Sequence, residues 1–416
     1  MLNDLMPGTE EVLRKEPVRG YIGFDPTADS LHVGSLVPVM TLKLFQNAGH
    51  HPIALIGGAT GMIGDPSGKT EERKLLSEEE VRHNATCIKV QLQKFLDFES
   101  KVNPATLVNN YDWFKGLEAI AYMREAGKFL TLSYLLNKAF IKDRLEQEQD
   151  ISFTEFNYIM MQAYDFLWLY ENKNCRLQMG GSDQWGNITA GTELIRKKIR
   201  GEAFGITCKL LTKADGSKFG KTESGNVWLD AKRTSAYKFY QFWLNASDED
   251  AGTYLHTFSL MNKAEIESLQ SEHDKNPQLR IAQKSLAREL TVRVHSERDF
   301  EIASEASEIL FGNAATEKLS SISEQMLLDV MEGVPRSDVD RNVFSEGIPV
   351  IELLADKTNI FPSRGEARKM IQSGGVSINK IKVGDIALQI SAPLLLNNKY
   401  LLVQKGKKNY FLIRAH

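Results

Sequence analysis

Cysteine is scarce in this chain of 416 residues. The three present, Cys87, Cys175 and Cys208, are isolated and odd in number, which argues against a disulfide framework and against a zinc site. That usage fits a reducing, intracellular compartment. No apolar run approaches the roughly 20 residues of a membrane-spanning helix. Residues 1–11 lack the basic and apolar stretches of a signal peptide, so a cytoplasmic location is expected. Internal repeats and low-complexity tracts are absent too. What is present is an ordinary globular composition, 42% hydrophobic and 25% charged, which excludes wholesale disorder. The length suggests about two to four domains.

The net charge of −3 is unevenly spread. Residues 349–416 hold 11 Lys/Arg against 4 Asp/Glu, and the preceding 348 residues hold 40 against 50. An acidic body with a basic C-terminal part points to an anionic macromolecular partner, nucleic acid before membrane, or else to a solvated basic face.

Three stretches read as a short strand that breaks into a polar, glycine-bearing turn. Residues 21–24 are apolar, stop at Asp25-Pro26, and lead through Thr27 to His32-Val33-Gly34-Ser35, where an amphipathic helix begins. Residues 51–56 read as a buried parallel strand and end in a glycine-rich turn that carries Asp65. Residues 176–179 end in Gly180-Gly181-Ser182-Asp183-Gln184, followed by a helix. Strand, helix and strand within 40 residues make a βαβ unit, and open α/β sheets bind ligands at the carboxyl ends of such strands. A helix N-terminus there favours an anion, phosphate above all. Gly68-Lys69-Thr70 imitates the end of a Walker A motif, but Ile63 stands where that motif requires its first glycine.

Between the second and third junctions, residues 114–150 read as mostly helical. Ser152 and Glu155 then form a capping-box pattern ahead of an apolar helix. Tyr158, Gln162 and Asp165 fall at i, i+4 and i+7, one polar stripe on that helix, either solvent-facing or lining a pocket. Residues 213–222 form a loop with three lysines and two glycines, Lys218 and Lys221 among them. From 234 to about 333 the pattern is helical. Residues 350–355 and 364–372 are helical, and strands are expected at 376–378, 382–383, 400–403 and 410–413.

Together these motifs resemble one family. His32-Val33-Gly34-Ser35 is similar to the HIGH signature of class I aminoacyl-tRNA synthetases, and Lys218-Phe219-Gly220-Lys221-Thr222 to their KMSKS loop in the form used by bacterial tyrosyl-tRNA synthetases. Residues 21–31, 57–66, 151–166, 180–189 and 234–243 resemble the same family, and Ser363 to Arg368 lie in a tail that resembles its S4 RNA-binding domain. The fold so implied is α/β. A Rossmann-like parallel-sheet catalytic domain would span 1–232, with an insertion around 105–150. A helical anticodon-side domain (233–333), a linker (334–348) and a small α+β S4 domain (349–416) would follow.

The resemblance implies activation of tyrosine with ATP and transfer of tyrosine to tRNA-Tyr, by a homodimer joined across the insertion. Tyr21 and Asp165 would bond the tyrosine hydroxyl, and Tyr158, Gln162 and Asp65 its ammonium group. Gln184 and Asp183 would contact tyrosine and the adenylate ribose. Asp25, Thr27, His32 and Gly34 would line the ATP side, and Lys218 and Lys221 would clamp the β,γ-phosphates. Lys69 and Arg73 are further candidates for pyrophosphate or the tRNA acceptor end. ATP would bring Mg²⁺ with it, and no tightly bound cofactor and no protein metal ligand are implied. Mobility of the lysine loop is expected, with closure as part of the reaction. Phenylalanine would leave Tyr21 and Asp165 unpaired, and tyrosyl-tRNA synthetases are the standing example of that discrimination, about 10⁵-fold without editing. Ser35 departs from the family, which usually has a second histidine there. The rival readings are a related synthetase, such as one for tryptophan, and an RNA-binding protein built on a synthetase frame.

Overall fold

The computed structural model describes residues 2–67, 76–147, 150–222, 225–311, 319, 322–332, 334–406 and 409–416. The chain forms two compact units, Met1–Thr234 with Phe242–His295, and Ser235–Gln241 with Ser296–His416.

The first unit is built on a six-stranded sheet. Its strands are β1 (Leu2–Leu5), β2 (Arg19–Phe24), β3 (His51–Ile56), β4 (Thr106–Asn109), β5 (Cys175–Gly181) and β6 (Phe204–Cys208), in the spatial order β1-β6-β5-β2-β3-β4. Every pairing is parallel except that of β1 with β6. The chain leaves β2 for β3 on one side and comes back to β5 on the other. The carboxyl end of β2 is therefore the point where the winding reverses and a crevice opens. Strand β3 is buried from Pro52 to Ile56, as a strand covered by helices on both faces must be.

Helices fix how deep that crevice is. Leu36–Asn47 buries Leu36, Val39, Met40, Leu42 and Phe45. Gly20 on β2 lets it come close, since a Cβ there would lie 2.9 Å from the Phe45 ring. Phe153–Lys173 begins at the expected capping box, with the Glu155 amide donating to Ser152 Oγ at 3.2 Å, and ends at Asn174 with φ 51°. It packs against Trp185–Ile199, where Gly191 leaves room for Phe166. Tyr21, Ile53, Leu55, Ile159, Phe166 and Leu194 share this core.

Short helices fill the segment before Phe153–Lys173, among them Tyr111–Phe114, Ala119–Tyr122, Leu132–Leu136 and Ala139–Glu146. They are tied back by a buried ion pair, Arg144 to Glu155 at 2.9 Å. Strand β4 belongs to the parallel sheet, although its four residues carry no clear strand pattern. From Ala236 to Phe311 the chain is helical as read, but its contacts divide it. Asp248–Phe258, Lys263–Lys275 and Ile281–Val294 belong to the first unit, and Glu297–Phe311 to the second.

The second unit carries a five-stranded sheet in the order Ile381–Lys382, Val376–Ile378, Tyr400–Lys405, Asn409–Ala415 and Arg336–Val339. All four C-terminal strands expected from the sequence are present, shifted by at most one or two residues at an end. The helix Arg364–Gln372 starts at Ser363, whose Oγ accepts from the Glu366 amide at 3.2 Å.

Candidate active site at the reversal point of the sheet

A cavity of about 600 Å³ opens at the carboxyl ends of β2 and β5. It is lined by Tyr21, Asp25, Thr27, His32, Gly34 and Ser35 from the first junction and by Asp65 from the second. Asp183 and Gln184 come from the third, Tyr158, Gln162 and Asp165 from the helical stripe, and Lys218 from the lysine loop. The stripe therefore faces the cavity and not solvent. Of the residues singled out in the sequence, Lys69 and Arg73 lie outside the described residues, as does the side chain of Lys221.

At the apolar end, Tyr21 lies in direct register with Gln178 on β5. The Tyr21 hydroxyl and Gln178 Oε1 are buried and find no hydrogen-bond partner among the described residues. Burial, with help from nearby Asp165, holds the Tyr21 phenol well above its usual titration range. Asp165 is 2% exposed, and both its oxygens accept hydrogen bonds: Oδ1 from Trp113 Nε1 at 2.8 Å, Oδ2 from Asn110 Nδ2 at 3.0 Å. Burial nevertheless pushes its carboxyl up to about 8, while those two donors pull in the opposite direction. Trp113 is fixed by stacking on Trp168, with ring centres 4.2 Å apart.

The middle of the cavity is acidic. The Tyr158 hydroxyl donates to Asp25 Oδ2 at 2.7 Å, and Thr60 Oγ1 donates to Asp25 Oδ1 at 2.7 Å. Gln184 Nε2 donates to Asp65 Oδ2 at 2.7 Å and to Asp183 Oδ2 at 3.2 Å. Asn187 Nδ2 faces Gln162 Oε1 at 3.0 Å and Gln184 Oε1 at 3.1 Å, which orients both amides. Burial raises the Asp183 carboxyl above its usual value. Three carboxyl groups in one half-buried cleft suit a cation.

The open end is formed by the loop after β2 and the start of Leu36–Asn47. The loop after β2 is held by Glu78–Leu92: Asn84 Nδ2 donates to the Pro26 carbonyl at 3.0 Å, and Gln91 Oε1 accepts from the Leu31 amide at 2.8 Å. The His32 ring covers Gly34, where a Cβ would sit 2.8 Å from His32 Cε1, and it meets Trp228 edge-on at 6.0 Å. Ser35 lines the cavity, and its side chain makes no capping bond at the start of Leu36–Asn47. Gly220 has φ +82° and packs on Val33. Sequence reasoning passed over Thr60, Asn110, Trp113, Gln178 and Asn187. Of these, Asn110 and Trp113 lie just after β4, in a segment without a periodic pattern.

Residues 13–312 match the family described as tRNA synthetases class I (W and Y), and residues 327–413 match the Tyrosine--tRNA ligase SYY-like C-terminal domain. The Tyrosine--tRNA ligase of Bacteroides fragilis is 58% identical over 418 residues, covering 100% of this chain and 97% of that one. The chain belongs to the tyrosine–tRNA ligase family. The tyrosine–tRNA ligase of Flavobacterium johnsoniae is 51% identical over 420 residues, with the same coverage. Among solved structures, a C-terminally truncated mitochondrial tyrosyl-tRNA synthetase from Aspergillus nidulans aligns at TM-score 0.68 and 28% identity, over 75% of this chain and 91% of its own. The Archaeoglobus fulgidus tyrosyl-tRNA synthetase complexed with L-tyrosine aligns at TM-score 0.53 and 18% identity, over 71% and 95%, a likeness of fold alone. The Rossmann-like sheet expected from the motifs is thus the class I fold of this ligase family, and the rival reading as an RNA-binding protein on a synthetase frame gives way to the enzyme.

Proposed function

We propose that the 600 Å³ cavity is where this tyrosine–tRNA ligase joins tyrosine to ATP. The observation that carries the reading is the buried Tyr21 hydroxyl, without a hydrogen-bond partner among the described residues, near Asp165 at one end of this cavity. A phenol hydroxyl entering there donates to Asp165 and accepts from Tyr21. Phenylalanine would leave both groups buried and unsatisfied. Asp65, Tyr158 and Gln162 hold the ammonium group, and Gln184 and Asp183 contact tyrosine and the adenylate ribose.

Asp25, Thr27, His32 and Gly34 take the ATP side, where Lys218 and Lys221 clamp the β,γ-phosphates. Lys69 and Arg73 are assigned to the same pyrophosphate or to the tRNA acceptor end. Mg²⁺ enters with ATP as part of the substrate. The tyrosine carboxylate is already ionised, so no general base is needed. One carboxylate oxygen forms the bond to the α-phosphorus as the bond to the β-phosphate oxygen breaks, and pyrophosphate leaves with the electron pair. A ribose hydroxyl of the terminal tRNA adenosine then attacks the carbonyl carbon and expels AMP. The protein contributes alignment and binds the leaving phosphates more tightly as charge builds on them.

The enzyme works as a cytoplasmic homodimer across the insertion, whose Ile120 and Leu132 are 68% and 61% exposed. The described helices include none long and apolar enough to cross a membrane. The chain divides the labour between chemistry at the first unit's cavity, an anticodon side and an S4-type grip on tRNA, the last through the basic residues of 349–416. The test is tyrosine-dependent ATP–pyrophosphate exchange with Lys221→Ala as control. Exchange that runs with tryptophan and not with tyrosine overturns the assignment.

A further inference from the structure

We propose that Phe219 is a positioning residue for the reaction, docked on one face of the helix Asp248–Phe258 so that the lysine loop sits at a fixed height over the cavity. A phenylalanine between the lysines of a phosphate loop has no chemistry to perform, yet it is only 8% exposed. Its ring stacks on Phe258 at 5.4 Å, meets Tyr254 at 5.1 Å and lies 5.9 Å from Trp243. On the same helix, Asp250 Oδ1 accepts from the Ala214 amide at 2.9 Å, at the start of the loop.

Asp250, Tyr254 and Phe258 stand at i, i+4 and i+8, so a single helical stripe receives the loop at two points. The very next residue, Gly220, touches the opposite wall. A Cβ there would lie 2.9 Å from Val33 Cγ2 and 3.3 Å from the Gly34 amide nitrogen. The Gly220 carbonyl accepts from the Val227 amide at 3.2 Å, and the Val227 carbonyl accepts from the Val33 amide at 2.9 Å. Two adjacent loop residues thus span from the helical stripe to the start of the helix Leu36–Asn47. Lys218, immediately before them, lines the cavity. A shift of the Phe219 ring moves Lys218 relative to the phosphates and leaves the tyrosine end untouched.

This inference rests on the reading of Lys218 as a phosphate ligand, and the experiment separates the two. Tyrosine-dependent ATP–pyrophosphate exchange and equilibrium tyrosine binding are measured for Phe219→Ala, Phe219→Leu, Tyr254→Ala, the double variant Phe219→Ala/Tyr254→Ala, and Lys218→Ala. Phe219→Ala is expected to lower the exchange kcat about 10- to 100-fold, the scale of a small misplacement of a reacting group, with tyrosine binding changed less than about twofold. Phe219→Leu falls between it and the parent. Tyr254→Ala gives the same split between kcat and tyrosine binding, and the double variant loses no more than the worse single one, as expected for two halves of one contact. An unchanged kcat in Phe219→Ala, or single losses that multiply in the double variant, overturns the proposal. So does a loss of tyrosine binding that persists in Phe219→Leu, because it makes Phe219 a plain core residue. If Lys218→Ala retains full exchange, the phosphate reading itself fails.

Discussion

Trp113 Nε1 donates to Asp165 Oδ1 at 2.8 Å, across 52 positions of sequence. Asn110 meets the other oxygen. The carboxyl that the helical stripe presents to the cavity is thus aimed by groups from the turn after β4, and its readiness to accept a phenol proton depends on them. Trp113→Phe removes one donor from a buried carboxylate, a loss of about 1–3 kcal/mol. The Asp165 carboxyl is expected to titrate still higher, and the KM for tyrosine at pH 7 to rise about 5- to 100-fold. Steady-state kinetics from pH 6 to 9 check this, because a packing defect alone would raise KM equally at every pH.

The same carboxyl gives the enzyme a pH signature. Burial lifts Asp165 from 3.8 to about 8, so between these values the folded protein holds a proton that the unfolded chain releases. Its contribution to stability is therefore favourable below about 4 and is lost as the pH rises through 8. Tyrosine binding runs the opposite way, since a phenol donates more strongly to the ionised carboxylate than to the neutral carboxyl. Affinity should rise with pH up to about 8 while the Tm of the free enzyme falls. Asp165→Asn should flatten both trends. Calorimetry and tyrosine titrations across this range decide it.

Tyr21→Phe removes the unpartnered hydroxyl without opening a cavity. The expected loss in kcat/KM for tyrosine is about three- to tenfold, the worth of one neutral hydrogen bond. For phenylalanine, kcat/KM should stay level or rise. Competition between the two amino acids in adenylate formation measures the ratio, and an unchanged ratio would remove Tyr21 from the discrimination.

Arg144 and Glu155 form an ion pair 9% and 5% exposed, and Glu155 also caps its own helix one turn before Tyr158. Arg144→Met strands a buried carboxylate and should cost about 3–5 kcal/mol. Pairing it with Glu155→Leu should recover most of that and leave a deficit of about 1 kcal/mol for the lost cap. Denaturant unfolding measures all three variants. Equal losses in the single and double variants would show that the pair carries no such coupling.

Much of the site was legible before any coordinate, because its signals are local. The turn after β2, the capping box at Ser152 and the i, i+4, i+7 polar stripe are periodicities of backbone geometry, and they stand where the sequence put them. Strands β1, β4 and β6 were not legible. They are four or five residues long, and only pairing with neighbours makes them strands. The partners of the functional groups were hidden for the same reason. Nothing in residues 109–113 tells that Asn110 and Trp113 will meet Asp165, or that Thr60 will meet Asp25, since contacts between distant segments follow from strand order and not from spacing.

The sequence alone therefore determined which chemical groups the enzyme owns and on which element each rides, because helix and strand periods are properties of a few consecutive residues. Tertiary structure alone decided their states. Asp165 titrates near 8 only because burial costs its charge more than two donors return. The Tyr21 hydroxyl, buried on β2, finds no partner among the described residues. Phe219 takes its place only because a helix that begins near residue 248 turns one face to the loop. Desolvation and long-range packing are functions of what surrounds a group, and the surroundings exist only after the chain has folded.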